Sequence, residues 1–245
     1  MERWKGRVAL VTGASSGIGR ATATRLEDAG MVVIAAARRA ERLDALADER
    51  PGIVPMPVDL RDTDAIVALF ERIRAAHGGV DVLVNNAGLG RHSPLMSGDT
   101  EAWREMLEVN VLALSVCTRE ALADMRRRGD DGHVLHISSM AGHRTPGGSG
   151  LYSATKFAVR ALTEGLRQEL RAAGSRVRVT AISPGFVETE FAQVYTGDAE
   201  AARATYSRFP VLQAADIADM VVYALASPPH MQIHDMLVRP TEQPS

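Results

Sequence analysis

The chain has 245 residues, 46% hydrophobic and 24% charged, a composition that excludes a disordered or fibrous protein. Its 28 Lys and Arg against 30 Asp and Glu leave a formal net charge of -2, so nucleic acid and anionic membranes gain no long-range attraction and are not expected partners. The lone Cys117 can form no internal disulfide, and the amino-terminal Met1-Glu2-Arg3-Trp4 has no apolar signal core, so a cytoplasmic protein without a membrane anchor is expected.

Short apolar runs alternate with segments of helical period, which is the signature of βαβ units. Strands are expected at residues 7–12, 31–36, 53–58, 80–85, 132–137, 176–183 and 234–239, and helices at 17–29, 39–49, 62–77, 100–128, 151–173 and 216–226. Runs such as 8–11 and 31–36 are apolar throughout, as strands covered by helices on both faces must be. The expected fold is α/β: one doubly wound Rossmann-like domain over residues 1–245, with a seven-stranded parallel sheet and helices on both faces. In 151–173, Phe157, Ala161, Leu162, Leu166 and Leu170 recur at three- and four-residue spacing and read as one buried stripe. Cys117 lies in an apolar run and reads as a small buried side chain. Residues 190–213 fit no strand; Phe191, Tyr195, Tyr206 and Phe209 with Gly197 point to a mobile lid over a substrate.

Thr12-Gly13-Ala14-Ser15-Ser16-Gly17-Ile18-Gly19 follows the first apolar run and opens a helix. Gly13, Gly17 and Gly19 allow a tight turn and the close approach of a pyrophosphate. The N–H groups of the turn, around Ser15, Ser16 and Ile18, and the positive end of the helix would hold its charge. An NAD-selective site places an Asp or Glu about 20 residues further on. Here the second strand ends Ala36-Ala37-Arg38-Arg39, and two guanidinium forks suit a 2'-phosphate better than a hydroxyl, so the expected cofactor is NADP(H).

Tyr152 and Lys156 are four apart at the start of a long helix and share one face. A free phenol titrates near pH 10, and acid/base work near neutrality asks for a depression of about three units, roughly 4 kcal/mol. An ammonium about 4 Å away can supply that much at an effective dielectric near 20. Ser138-Ser139 ends the fifth strand at the carboxyl edge of the sheet, where Ser139 can orient a carbonyl oxygen toward Tyr152. The bland role for a serine there, capping a turn, is open to Ser138. His92 and His143 fall in loops at the same edge and are candidates to line a substrate pocket with Ser139 and Tyr152. No metal is expected: among the seven histidines, His133 and His136, three apart on a strand, face opposite sides. Asn110 sits mid-helix at a cost of roughly 0.7 kcal/mol relative to Ala, which a functional site would justify.

Taken with Asp59-Leu60 after the third strand, Asn85-Asn86-Ala87-Gly88 after the fourth, and Pro184-Gly185-Phe186-Val187-Glu188-Thr189, these motifs resemble the short-chain dehydrogenase/reductase family over nearly the whole length. The resemblance implies that Asp59 and Leu60 contact the adenine, Asn86, Ala87 and Gly88 the adenosine ribose and central sheet, and Pro184, Gly185, Val187 and Thr189 the nicotinamide. It also implies that Lys156 holds the nicotinamide ribose and that Asn110 anchors a water in a proton relay. Met1-Glu2-Arg3-Trp4, the run 109–115 and Arg239-Pro240-Thr241-Glu242-Gln243 further resemble the NADPH-dependent reductases of 3- and 17-ketosteroids and other carbonyls, although 142–151 is glycine-rich and two residues shorter. Three readings follow: a carbonyl reductase acting on a small-molecule ketone or its alcohol, a reductase of 3-oxoacyl thioesters, and a non-catalytic NADP(H)-binding regulator. By the same resemblance helices 100–128 and 151–173 pair across a two-fold axis, and a homotetramer is expected ahead of a dimer.

Overall fold

The computed structural model describes residues 1–244. Strands β1 (Val8–Thr12), β2 (Val32–Ala37), β3 (Ile53–Pro57), β4 (Val82–Asn85), β5 (His133–Ile137) and β6 (Arg178–Pro184) alternate with helices α1 (Gly17–Asp28), α2 (Ala40–Glu49), α3 (Thr63–His77), α4 (Thr100–Leu107), α5 (Leu114–Arg127) and α6 (Gly150–Ala172). The chain continues through β7 (Val187–Glu188), α7 (Phe191–Thr196), α8 (Ala199–Tyr206), β8 (Leu212–Gln213), α9 (Ala214–Ala226) and β9 (Asp235–Val238).

Seven strands form one parallel sheet in the order β3-β2-β1-β4-β5-β6-β9, as the apolar pattern predicts. Successive strand residues alternate between its faces. Val11, Val33 and Val84 pack under Leu26 of α1, Leu43 of α2 and Val221 of α9. Leu10, Ile34 and Leu83 pack under Phe70 of α3, Cys117 of α5 and Leu166 of α6. Both faces are therefore apolar, which is why the strands read as unbroken hydrophobic runs. Burial pushes the Cys117 thiol up to about 12, so it is inert. The order of strands reverses between β1 and β4, and their carboxyl ends open the crevice in which ligands of such sheets bind.

Three features depart from the sequence expectations. The helix expected over 100–128 is interrupted by a π-helical stretch, Glu108–Ala113, centred near Asn110. In α6, Leu166 and Leu170 are buried, but Phe157 and Leu162 are 41% and 38% exposed; the inward face instead carries Ser153, Lys156, Val159 and Thr163. Spacing reveals that a stripe exists but not how the helix is rotated, and here hydrogen-bonding side chains set the rotation. Third, 190–213 holds two short helices and β8, whose Leu212 pairs with Val187 of β7. Two residues are too few to display an alternating pattern.

The opposite edge of the sheet is anchored by Asp81, 2% exposed, which accepts from Val8 N–H (2.9 Å) and pairs with Arg7 (3.0 Å) and Arg128 (2.9 Å). Burial alone would raise this carboxyl; Arg128, the Val8 N–H and Arg7 outweigh it and hold it below the usual carboxylate range. Asp81→Asn should lower stability by about 2–3 kcal/mol in urea denaturation at pH 7. A depressed pKa contributes stability above its unfolded value, so the gap between variant and wild type should shrink as pH falls through the carboxylate range.

Candidate active site

At the crevice, Thr12 Oγ1 donates to Val84 C=O (3.3 Å) and accepts from the N–H groups of Asn86 (3.1 Å) and Ala87 (3.0 Å). Asn86 Nδ2 donates back to Thr12 C=O (2.9 Å), so the ends of β1 and β4 are stitched together. Gly13 lies at φ +69°, and a Cβ there would come within 2.9 Å of Asn86 Nδ2 and Ala87 Cα; a Cβ on Gly19 would overlap the Gly13 carbonyl oxygen. Gly17, at φ +53°, starts α1 beneath the Thr189 side chain. Ser16 N-caps α1 without a side-chain cap, no acid stands in the first turn, Ser15 is buried and Ile18 packs on the core. A turn closed to any Cβ, with uncapped N–H donors at a helix start, fits a dinucleotide pyrophosphate.

Arg39 donates to Ser15 Oγ (3.1 and 3.0 Å) and Ser16 Oγ (2.7 Å), and its remaining fork atom pairs with Glu190 at 2.8 Å. Arg42 binds the other Glu190 oxygen at 2.6 Å. Arg42 and then Arg39 hold the Glu190 carboxyl down to about 2. Of the two arginines expected here, Arg39 joins the turn while Arg38 is exposed. The Asp59 carboxylate is engaged by Arg61 (2.8 Å), and Leu60 is buried in the core. Arg42 was missed; its i,i+3 spacing from Arg39 was the available signal. Glu190, 148 residues from Arg42, offered none.

Lys156, 6% exposed, donates from Nζ to Ile137 C=O at 3.0 Å, and Nζ lies 5.9 Å from the Tyr152 ring centroid. Tyr152 is half-buried, and Ser139 lies beside its phenol. Ser139 Oγ also accepts from Ala141 N–H (3.1 Å), while Ser138 Oγ donates to Lys156 C=O (3.4 Å), so the turn-capping role left open for Ser138 falls to Ser139. Burial pushes the phenol up to about 12 against the opposing pull of Ser139, and pushes the ammonium down to about 8. The help expected from Lys156 in drawing the phenol toward neutrality is not among the causes of this shift, in which burial comes first. The ammonium is itself short of solvation and is committed to a backbone carbonyl.

Asn110 turns inward from the π-helical stretch. Its Nδ2 donates to Leu89 C=O (2.8 Å) and Thr155 Oγ1 (3.0 Å), and its Oδ1 accepts from Leu89 N–H (2.9 Å). A Cβ on Gly88 would stand 3.4 Å from both Asn110 Oδ1 and Lys156 Nζ, so Gly88, Asn110 and Lys156 converge. Over Tyr152 lies an aromatic wall: Phe191 at 5.3 Å and Tyr195 at 6.2 Å between ring centroids, with His92 6.1 Å beyond Tyr195. His143 does not join it; its ring lies 3.1 Å from the Asp235 carboxylate on β9. Gly90 was also missed, and a Cβ there would come within 2.7 Å of Tyr195 and 2.8 Å of Phe191.

Pro184 and Val187 are buried; Gly185 N–H donates to Val238 C=O (2.7 Å) and Phe186 N–H to Gln243 Oε1 (2.9 Å), which holds the 184–189 loop against the chain's end. His133 reaches Thr180 (2.9 Å) and His136 reaches Thr163 (2.8 Å), on opposite faces of β5.

A profile of the short chain dehydrogenase family matches residues 7–200. Dehydrogenase/reductase SDR family member 11 of Bos taurus is 51% identical over 253 residues, covering 99% of each chain. A serine dehydrogenase complexed with NADP+ superposes with TM-score 0.93 at 35% identity, over 97% of this chain and 96% of that one. A short chain dehydrogenase/reductase from Burkholderia phymatum in complex with NAD superposes with TM-score 0.87 at 28% identity, over 97% of this chain and 90% of that one.

Asn110→Ala would leave the Leu89 N–H and C=O without partners. It should cost about 2 kcal/mol in thermal unfolding. Asn110→Asp, which loses both donors, should be at least as damaging.

Proposed function

The chain belongs to the short-chain dehydrogenase family, and from that premise we propose that it is an NADPH-dependent reductase of ketones and aldehydes, 3- and 17-ketosteroids among them. The observation that supports the reading is that Lys156 Nζ lies 5.9 Å from the Tyr152 ring centroid and beside Gly88 at the crevice, with Ser139 capping the turn that follows β5. Ser139 hydrogen-bonds the substrate oxygen and turns it toward Tyr152, and the Tyr152 O–H gives its proton to that oxygen. Bound NADPH supplies the hydride to the carbonyl carbon. A phenol pushed up to about 12 is fully protonated at neutral pH, which suits a proton donor. Lys156 holds the nicotinamide ribose and stabilises the phenolate left behind. Asn110, linked through Gly88 to Lys156, anchors the water that returns a proton. Phe191, Tyr195 and His92 form the substrate wall, and 190–213 acts as a lid that excludes water.

Preference for NADPH over NADH rests on the Arg39, Ser15, Ser16 cluster and on the absence of a carboxylate where β2 ends at Ala37. Asp59 and Leu60 border the adenine, Asn86 the adenosine ribose, and Val187 with Thr189 the nicotinamide. The exposed apolar side chains of Leu107, Leu112, Phe157 and Leu162, on α4, the π-helical stretch and α6, support a two-fold interface between copies of the chain, within a homotetramer ahead of a dimer. No helix among the described residues is long and apolar enough to cross a membrane.

Tyr152→Phe should cut kcat for ketone reduction by about 10²–10⁴ and leave the NADPH Kd within a few-fold; full activity in the variant would overturn the mechanism. Arg39→Asp should weaken NADPH binding by roughly 10–100-fold and NADH far less, with Arg38→Asp the milder change. Because reduction uses the phenol and oxidation the phenolate, kcat/KM for alcohol oxidation should climb with pH. Reduction should decline as pH rises through the Lys156 value of about 8.

A further inference from the structure

The Arg39 fork is already answered by an anion from the protein. Its Nε and Nη2 reach Ser15 and Ser16 of the phosphate-binding turn, and its Nη1 reaches Glu190 at 2.8 Å. The second Glu190 oxygen takes Arg42 at 2.6 Å, so one carboxylate bridges two guanidinium groups at the start of α2. Glu190 is also the residue from which α7 starts, and the next residue, Phe191, lies 5.3 Å from the Tyr152 ring. Two oxygens, one negative charge and two arginine partners are what a phosphate would offer the same groups.

We infer that Glu190 is a coenzyme-specificity residue that competes with the 2'-phosphate for Arg39, so that arrival of the phosphate moves Glu190 off Arg39 and loosens the start of α7 beside Tyr152. The inference rests on the NADPH reading above and adds a determinant outside the turn and β2. An ion pair whose side chains are 38% and 43% exposed is weak, so the competition is modest: removing the carboxylate should help the phosphate by about two- to fivefold. A dinucleotide or fragment without the 2'-phosphate meets no such competitor and should be indifferent to residue 190.

The test is calorimetric binding of 2',5'-ADP and of 5'-AMP, which differs from it only by lacking the 2'-phosphate, to the full chain and to Glu190→Gln, an exposed position where the change is nearly isosteric. The expected result is that wild type prefers 2',5'-ADP, and that Glu190→Gln tightens 2',5'-ADP by about two- to fivefold while 5'-AMP changes less than twofold. Hydrogen exchange should report faster exchange in residues 190–196 of wild type on adding 2',5'-ADP but not 5'-AMP, and a loss of that response in the variant. If wild type does not distinguish the two nucleotides, the NADPH reading fails and the inference with it. If wild type distinguishes them but Glu190→Gln leaves 2',5'-ADP affinity unchanged, the competition is absent. If the variant binds 2',5'-ADP more weakly, Glu190 serves to position Arg39, and the inference is overturned in the opposite sense.

Discussion

A single ammonium, nearly out of water and bonded to one backbone carbonyl, sets the geometry on which the candidate site depends. Lys156 Nζ donates to Ile137 C=O, which ties the first turns of α6 to the last residue of β5. Burying an ammonium is expensive unless acceptors are arranged around it, and burial pushes this one down to about 8. The tie fixes the rotation of α6: with Lys156 inward, Tyr152 one turn earlier must face the same crevice. Ser138 reinforces the position by donating to the Lys156 carbonyl.

The rotation has a consequence on the far side of the helix. A helix whose inner face is given over to Ser153, Lys156 and Thr163 cannot also bury Phe157 and Leu162, which stay on the surface. The neighbouring helix shows the same compromise in its backbone. A regular α-helix through 108–113 would carry Asn110 past its partners; the π-helical stretch turns its amide onto Leu89 and Thr155, and the hydrogen bonds made there offset the poorer local geometry. Both helices give up regularity or burial where the crevice needs a polar group.

The segment 190–213 is tied down by two different kinds of contact. Phe191 and Tyr195 stack on each other and meet the Tyr152 ring at tilted and edge-on angles, and the segment's first residue is an anion held by Arg39 and Arg42. Aromatic packing is indifferent to charge, whereas the ion pairs answer to any competing anion. The glycine turn with its arginines and the Tyr152 ring therefore share one short segment.

Much of this was legible in the sequence. Unbroken apolar runs alternating with helical periods required a parallel sheet covered on both faces, and a glycine cluster between the first strand and first helix located its anion-binding edge. The spacing of Tyr152 and Lys156, and the serines closing β5, placed three polar groups at that edge because local geometry alone decides which residues share a face. What tertiary structure decided were contacts between residues far apart in the chain. Leu166 and Phe157 belong to one periodic stripe, yet only the former is buried, because helix rotation is set by partners on other strands. His143 turns to Asp235, Gln243 reaches Phe186, and Glu190 meets Arg42, pairs about 57 to 148 residues apart that no local pattern encodes. The direction of the Tyr152 shift belongs to the same class, since desolvation depends on everything packed around the ring and not on the lysine four positions away.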